Sequence, residues 1–183
     1  MCKIKQLIES YQQYISTPWK SDAAAAQRVI FCVYNELNEL RLRAKVDEFE
    51  ITTRNCGHDW AVFDLTDTFA EWMSGQKYAS KYFKNPALLS SIYHHYMEFI
   101  EEKFEQFLKK VDAGDNHVVA VKGVGSLFGF LKVKEVVERL APMVPGRLLI
   151  LFPGSYEDNN YRLLDGYDGW NYLAVPITAA KIY

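Results

Sequence analysis

The sequence predicts an α/β fold, a mainly parallel sheet of four or five strands flanked by helices, preceded by an N-terminal helix. Two observations carry this. Short apolar, β-branched runs of strand length alternate with longer segments of helical period. The strand runs are also apolar almost throughout rather than alternating with polar residues, as strands covered on both faces are.

The elements follow in order. Ile4, Leu7, Ile8, Tyr11 and Ile15 recur at helical spacing and predict a first helix over 3–15, broken by Pro18 and its polar neighbours. Arg28–Tyr34 (RVIFCVY) reads as the first strand, and Glu36 to about Thr53 as one charged helix. After the Cys56-Gly57-His58 turn, Trp60–Leu65 (WAVFDL) is the second strand, and Thr68 with Glu71 has capping-box spacing for a short helix. Asn85-Pro86 marks the start of a long helix running to about Val111. His117–Val121 is the third strand, with a helix from about Phe130 to Leu140. Arg147–Phe152 is the fourth strand and Tyr172–Ile177 the last, with a short one at Tyr161–Leu164 between them. Residues Val29, Phe31, Val33, Val62, Val119, Val121, Leu149 and Leu151 are the expected sheet core.

The 183 residues fit one domain over 1–183. A 49% hydrophobic and 15% aromatic composition is too apolar for a disordered chain. The net charge of −2 argues against a protein whose main task is gripping nucleic acid phosphates, while leaving room for a local basic patch. No apolar run is long enough for a membrane span, and the N-terminus does not read as a signal peptide. Cys2, Cys32 and Cys56 are odd in number and widely spaced, which suggests no disulfide framework and a cytoplasmic, reduced protein.

In a parallel sheet the C-terminal strand ends share one edge, where ligand sites collect. Here that rim carries Asn35, Asp64, Lys122, Gly123, Gly125, Ser126 and Ser155. A nucleotide or phospho-ligand on this rim is one reading; ordinary polar turns are the other. Lys122-Gly-Val-Gly-Ser126 is neither a Walker loop nor a dinucleotide fingerprint, so no ATP or GTP hydrolysis is expected. His94 and His95 are adjacent on a helix and point apart, and Cys56-Gly-His58 lacks further ligands. No metal and no cofactor is therefore expected. The loop 156–172 concentrates Tyr156, Tyr161, Arg162 and Tyr167 among acids and asparagines. Tyrosine and arginine dominate binding hot spots, so these four are the candidate partner-binding residues. Trp170 and Tyr172 packing back on the core is the alternative for the aromatics of this loop.

The runs RVIFCVYNELNELRLR at 28–43, WAVFDLT at 60–66, VKGVGSLFGFLKV at 121–133 and LFPGSYEDNNYRLLDGYDGWNYLAVPI at 151–177 together resemble the BrxB family of the BREX bacteriophage-exclusion systems. Where members of that family carry an arginine after the GVGS turn, this chain has Gly129-Phe130-Leu131-Lys132, and lysine cannot reproduce arginine's planar fork. The resemblance implies a cytoplasmic BREX subunit working beside the BrxC ATPase, the phosphatase-like PglZ and the PglX methyltransferase in host DNA methylation and phage restriction. It carries over no catalytic residue. With no self-contained catalytic motif, an adaptor or assembly role is expected, with PglZ, then BrxC, as the partner, and the charge balance disfavours direct nucleic-acid binding.

Overall fold

The computed structural model describes residues 3–20, 22–166 and 169–180. Five strands lie side by side in one parallel sheet: β1 (Val29–Tyr34), β2 (Asp59–Asp64), β3 (His117–Lys122), β4 (Arg147–Glu157) and β6 (Val175–Ile177), in the order β2-β3-β4-β1-β6. The register pairs Asp64 with Lys122, Val29 with Leu148 and Phe31 with Pro176. The sixth strand, β5 (Asn160–Leu163), runs antiparallel to the far end of β4. The α/β fold with its mainly parallel sheet is thus present, with β5 added as a hairpin arm.

β1 sits inside the sheet, and all six of its residues are buried. Its side chains alternate between two cores, as the pleat requires. Val29, Phe31 and Val33 face one core with α4 (Thr68–Ser74), α6 (Tyr93–Lys110) and α7 (Val133–Leu140). Ile30, Cys32 and Tyr34 face the other, under α1 (Lys3–Ile15) and α3 (Val46–Asn55). The apolar stripe of α1 is fully used: Ile4, Leu7, Ile8, Tyr11 and Ile15 are all buried. Of the expected core residues only Val62 is half-buried, because β2 is an edge strand.

Several boundaries differ from the sequence reading. The single helix expected from Glu36 is a 3-10 turn (Glu36–Asn38), then α2 (Glu39–Arg43), then α3. The long helix expected from Asn85 starts as 3-10 over Pro86–Ile92, where no residue is buried. The α-helix takes hold at Tyr93, where Tyr96, Met97, Ile100, Phe104 and Leu108 supply a buried stripe. α5 (Ala79–Lys84) was not expected. α7 begins at Val133 rather than Phe130, because Phe130 turns to stack on Phe69 with ring centroids 4.0 Å apart. Thr68 does not cap α4 in a capping box. Its hydroxyl donates to the Leu65 carbonyl at 2.8 Å and meets the Tyr96 hydroxyl at 2.8 Å.

Candidate functional site

The C-terminal ends of β2 and β3 form the first part of the rim. Asp64 Oδ2 lies 3.2 Å from Lys122 Nζ. Asp64 Oδ1 accepts from the Thr66 amide at 2.9 Å and the Thr66 hydroxyl at 2.6 Å. Partial burial works against the Asp64 charge, but the two Thr66 bonds and Lys122 outweigh it and hold the carboxyl below its ordinary pKa. Gly123 follows with φ +75°, and a Cβ there would stand 2.5 Å from Thr66 Oγ1. This glycine is needed for the turn and for the close approach of Thr66.

The ends of β1 and β4 form the second part. Asn35 Oδ1 accepts from the Leu37 amide at 3.1 Å and so caps the 3-10 turn. Tyr34 donates its hydroxyl to Glu39, and Arg43 Nε reaches Glu39 Oε1 at 2.7 Å. Burial, then the Glu39 bond, pushes the Tyr34 hydroxyl well above the usual phenol range. Asn35 and Ser155 line a cleft of about 410 Å³ with Tyr34, Tyr156 and the first turn of α1. Gly125 lies between the two parts, against Pro153 and Leu164, and the Ser126 amide donates to the Gly123 carbonyl at 3.0 Å. The seven rim residues therefore fall into separate groups. Lys122 faces Asp64, and Asn35 holds its own turn. The Tyr34–Glu39–Arg43 cluster was missed by the sequence reading, although Glu39 and Arg43 have the i,i+4 spacing that signals a helical ion pair.

The loop 156–172 is largely a hairpin. β4 continues past its last pairing with β1, Tyr34 with Pro153, and Gly154–Glu157 pair with Asn160–Leu163. Side chains alternate along β5: Tyr161 and Leu163 point in, and Arg162 points out. Tyr161 is 0% exposed and packs at 4.5 Å from Phe31 and 5.9 Å from Phe152, measured between ring centroids. Tyr161, one of the four candidate partner-binding residues, is thus a buried side chain rather than an exposed one. It belongs to the core because the period of two along β5 points it at β1. Tyr156 is half-buried, with its ring 4.7 Å from that of Tyr161 and its hydroxyl 3.0 Å from Asn159 Oδ1. Tyr167 lies outside the described residues. Arg162 is exposed, lies against Gly169, and has no ion-pair partner among the described residues.

Beside the hairpin opens a cleft of about 790 Å³, lined among others by Phe128, Phe130, Lys132, Glu135, Leu163 and Trp170. Phe128 is 47% exposed at its edge. Among the described residues no three His, Cys, Asp or Glu side chains are grouped to hold a metal, and no helix is long and apolar enough to cross a membrane.

Comparison with curated proteins and with solved structures returned no match. The family model described as BrxB, BREX protein BrxB, matches residues 62–177, well over half of the 183-residue chain. That span takes in the second half of β2, all of β3, β4, the hairpin and β6, and so contains both the cleft beside the hairpin and the Asp64–Lys122 pair. The chain belongs to the BrxB family and is thereby a component of a BREX system.

Proposed function

We propose that this BrxB protein is an adaptor or assembly subunit of a BREX complex, and that the β4–β5 hairpin with its adjoining cleft docks another BREX protein, PglZ first and BrxC second. The observation that carries the reading is the exposed Arg162, without an ion-pair partner among the described residues, on a hairpin whose inner face is plugged into the core by Tyr161. A rigid scaffold that holds an arginine beside exposed aromatic surface has the composition of a binding hot spot. Phe128 and Trp170 supply that surface in the cleft. The rim fits a phospho-ligand less well, since Lys122 and Arg43 each already face a carboxylate.

The test is co-purification of tagged PglZ with wild-type and variant chains. Arg162→Ala together with Phe128→Ala should weaken the complex by roughly thirtyfold, the equivalent of a ~2 kcal/mol anchor. Melting temperature should stay nearly unchanged, because both side chains are exposed. Full retention of PglZ and BrxC binding, and of phage defence, by this double variant would reject the hairpin as the docking surface.

A further inference from the structure

The stretch between Glu71 and Glu98 contains no acidic residue, yet it carries Lys77, Lys81 and Lys84. In a chain of net charge −2 this is a concentrated local excess of positive charge. The two acids that bracket the stretch are both occupied: Glu71 pairs with Lys103, and Glu98 lies 2.9 Å from His95 Nδ1. All three lysines are exposed, and none has an ion-pair partner among the described residues. Lys81 and Lys84, three apart on α5, share a side of that helix, and Lys77 lies in the turn that leads into it. Ala79 and Tyr82 face the other way and pack on the core, which anchors the segment.

Two aromatic rings stand among these lysines. Tyr78 is 57% exposed and Phe83 is 70% exposed, and Lys77 Nζ sits 5.5 Å from the Tyr78 ring centroid. Large rings left in water beside unneutralised ammonium groups match a polyanion that also presents flat apolar faces. Single-stranded nucleic acid has both: phosphates for the lysines and unstacked bases for the rings. Duplex DNA keeps its bases stacked and offers the rings nothing. An anionic membrane is a poorer fit, because α5 is only 6 residues long and turns Ala79 and Tyr82 inward.

We propose that Lys77, Lys81 and Lys84 with Tyr78 and Phe83 form a contact surface for single-stranded nucleic acid. The surface lies on elements other than the β4–β5 hairpin, so it stands or falls independently of the docking reading. The near-zero net charge does not bear on it, since the patch is local.

The test is fluorescence anisotropy of a fluorescein-labelled oligothymidylate with the full chain across a salt series. Saturable binding that weakens with salt is expected. Replacing the three lysines by alanine should reduce the slope of log affinity against log salt by about 2, from a single-strand value of ~0.7 per phosphate contact. Tyr78→Ala with Phe83→Ala should lower affinity by at least about fivefold per ring and leave that slope unchanged. Both variants should keep the wild-type melting temperature, and Lys132→Ala with Lys134→Ala, whose lysines stand near Glu135 and Glu138, should bind as wild type. The proposal is overturned if the wild-type chain gives no saturable binding at low salt. It is equally overturned if the triple lysine variant binds normally, or if duplex DNA or phosphatidylserine vesicles compete as well as the single strand.

Discussion

Tyr161 and Trp170 are joined twice. Their rings lie 5.2 Å apart at 30°, and their backbones exchange two hydrogen bonds, Tyr161 N–H to the Trp170 carbonyl at 2.7 Å and Trp170 N–H to the Tyr161 carbonyl at 3.0 Å. This pair pins the end of the hairpin arm to Phe31 of the central strand, whose ring lies 4.5 Å from Tyr161 and 5.8 Å from Trp170. The aromatics here are the fastening of the arm, and the outward Arg162 is what the arm presents.

Truncating Tyr161 should therefore unfold rather than disconnect. Tyr161→Ala is expected to cost about 3–5 kcal/mol, the range for a large buried aromatic. Trp170→Ala should cost less, because Trp170 is only half-buried. Tyr161→Phe should be neutral or mildly stabilising, since the Tyr161 hydroxyl is buried with no hydrogen-bond partner among the described residues. Urea denaturation of the three variants checks this; a clear loss of stability in Tyr161→Phe would show that the hydroxyl has a partner.

Gly123 and Gly125 lie two residues apart and should respond oppositely. Gly123 has φ +75° and no room beside Thr66, so Gly123→Ala should cost about 2 kcal/mol or more and disturb the Asp64 turn. At Gly125 a Cβ would meet Pro153 and Leu164 at 3.6 and 3.7 Å, which is ordinary contact. Gly125→Ala should melt close to wild type. Thermal melts of the pair decide it, and equal losses at both positions would contradict the steric assignment.

The Asp64 carboxyl should contribute to acid stability. Its folded pKa lies below the ordinary value, so its stabilisation is complete above about pH 4 and is lost as pH falls through the lowered folded value. Asp64→Asn should therefore reduce stability at neutral pH and flatten the part of the acid limb below about pH 4. Asp64 is well exposed, so the effect should be small. Denaturation midpoints from pH 7 to pH 2.5 test this, and an unchanged acid limb in Asp64→Asn would refute it.

Beneath α1, Tyr11 donates to Thr53 Oγ1 at 2.6 Å, and Thr53 Oγ1 donates on to the Phe49 carbonyl at 2.8 Å, all buried. Thr53→Val strands the Tyr11 hydroxyl and should cost about 1–3 kcal/mol. Adding Tyr11→Phe should recover a substantial part of that loss, giving a favourable coupling in a double-mutant cycle. Strict additivity would mean the bond carries no stability.

The parallel sheet was legible because VIFCVY of β1, the VVAV of β3 and the LLILF of β4 are apolar without interruption, as strands covered on both faces are. The stripe of α1 was legible for a similarly local reason: its five buried residues repeat at helical spacing. β5 was legible as a short strand at 161–164, but four residues of period two do not tell which face turns inward, so Tyr161 read as a partner-binding residue. What only the tertiary structure decided is which side chains are already engaged. Lys122 is neutralised by an aspartate from the neighbouring strand, whereas Lys77, Lys81 and Lys84 have no such neighbour among the described residues. Ion pairing across strands depends on sheet order, and sheet order follows from how the β1–β2 connection crosses β4 and β3. That crossing is settled by packing two cores against one sheet, a long-range balance that no local run of residues encodes.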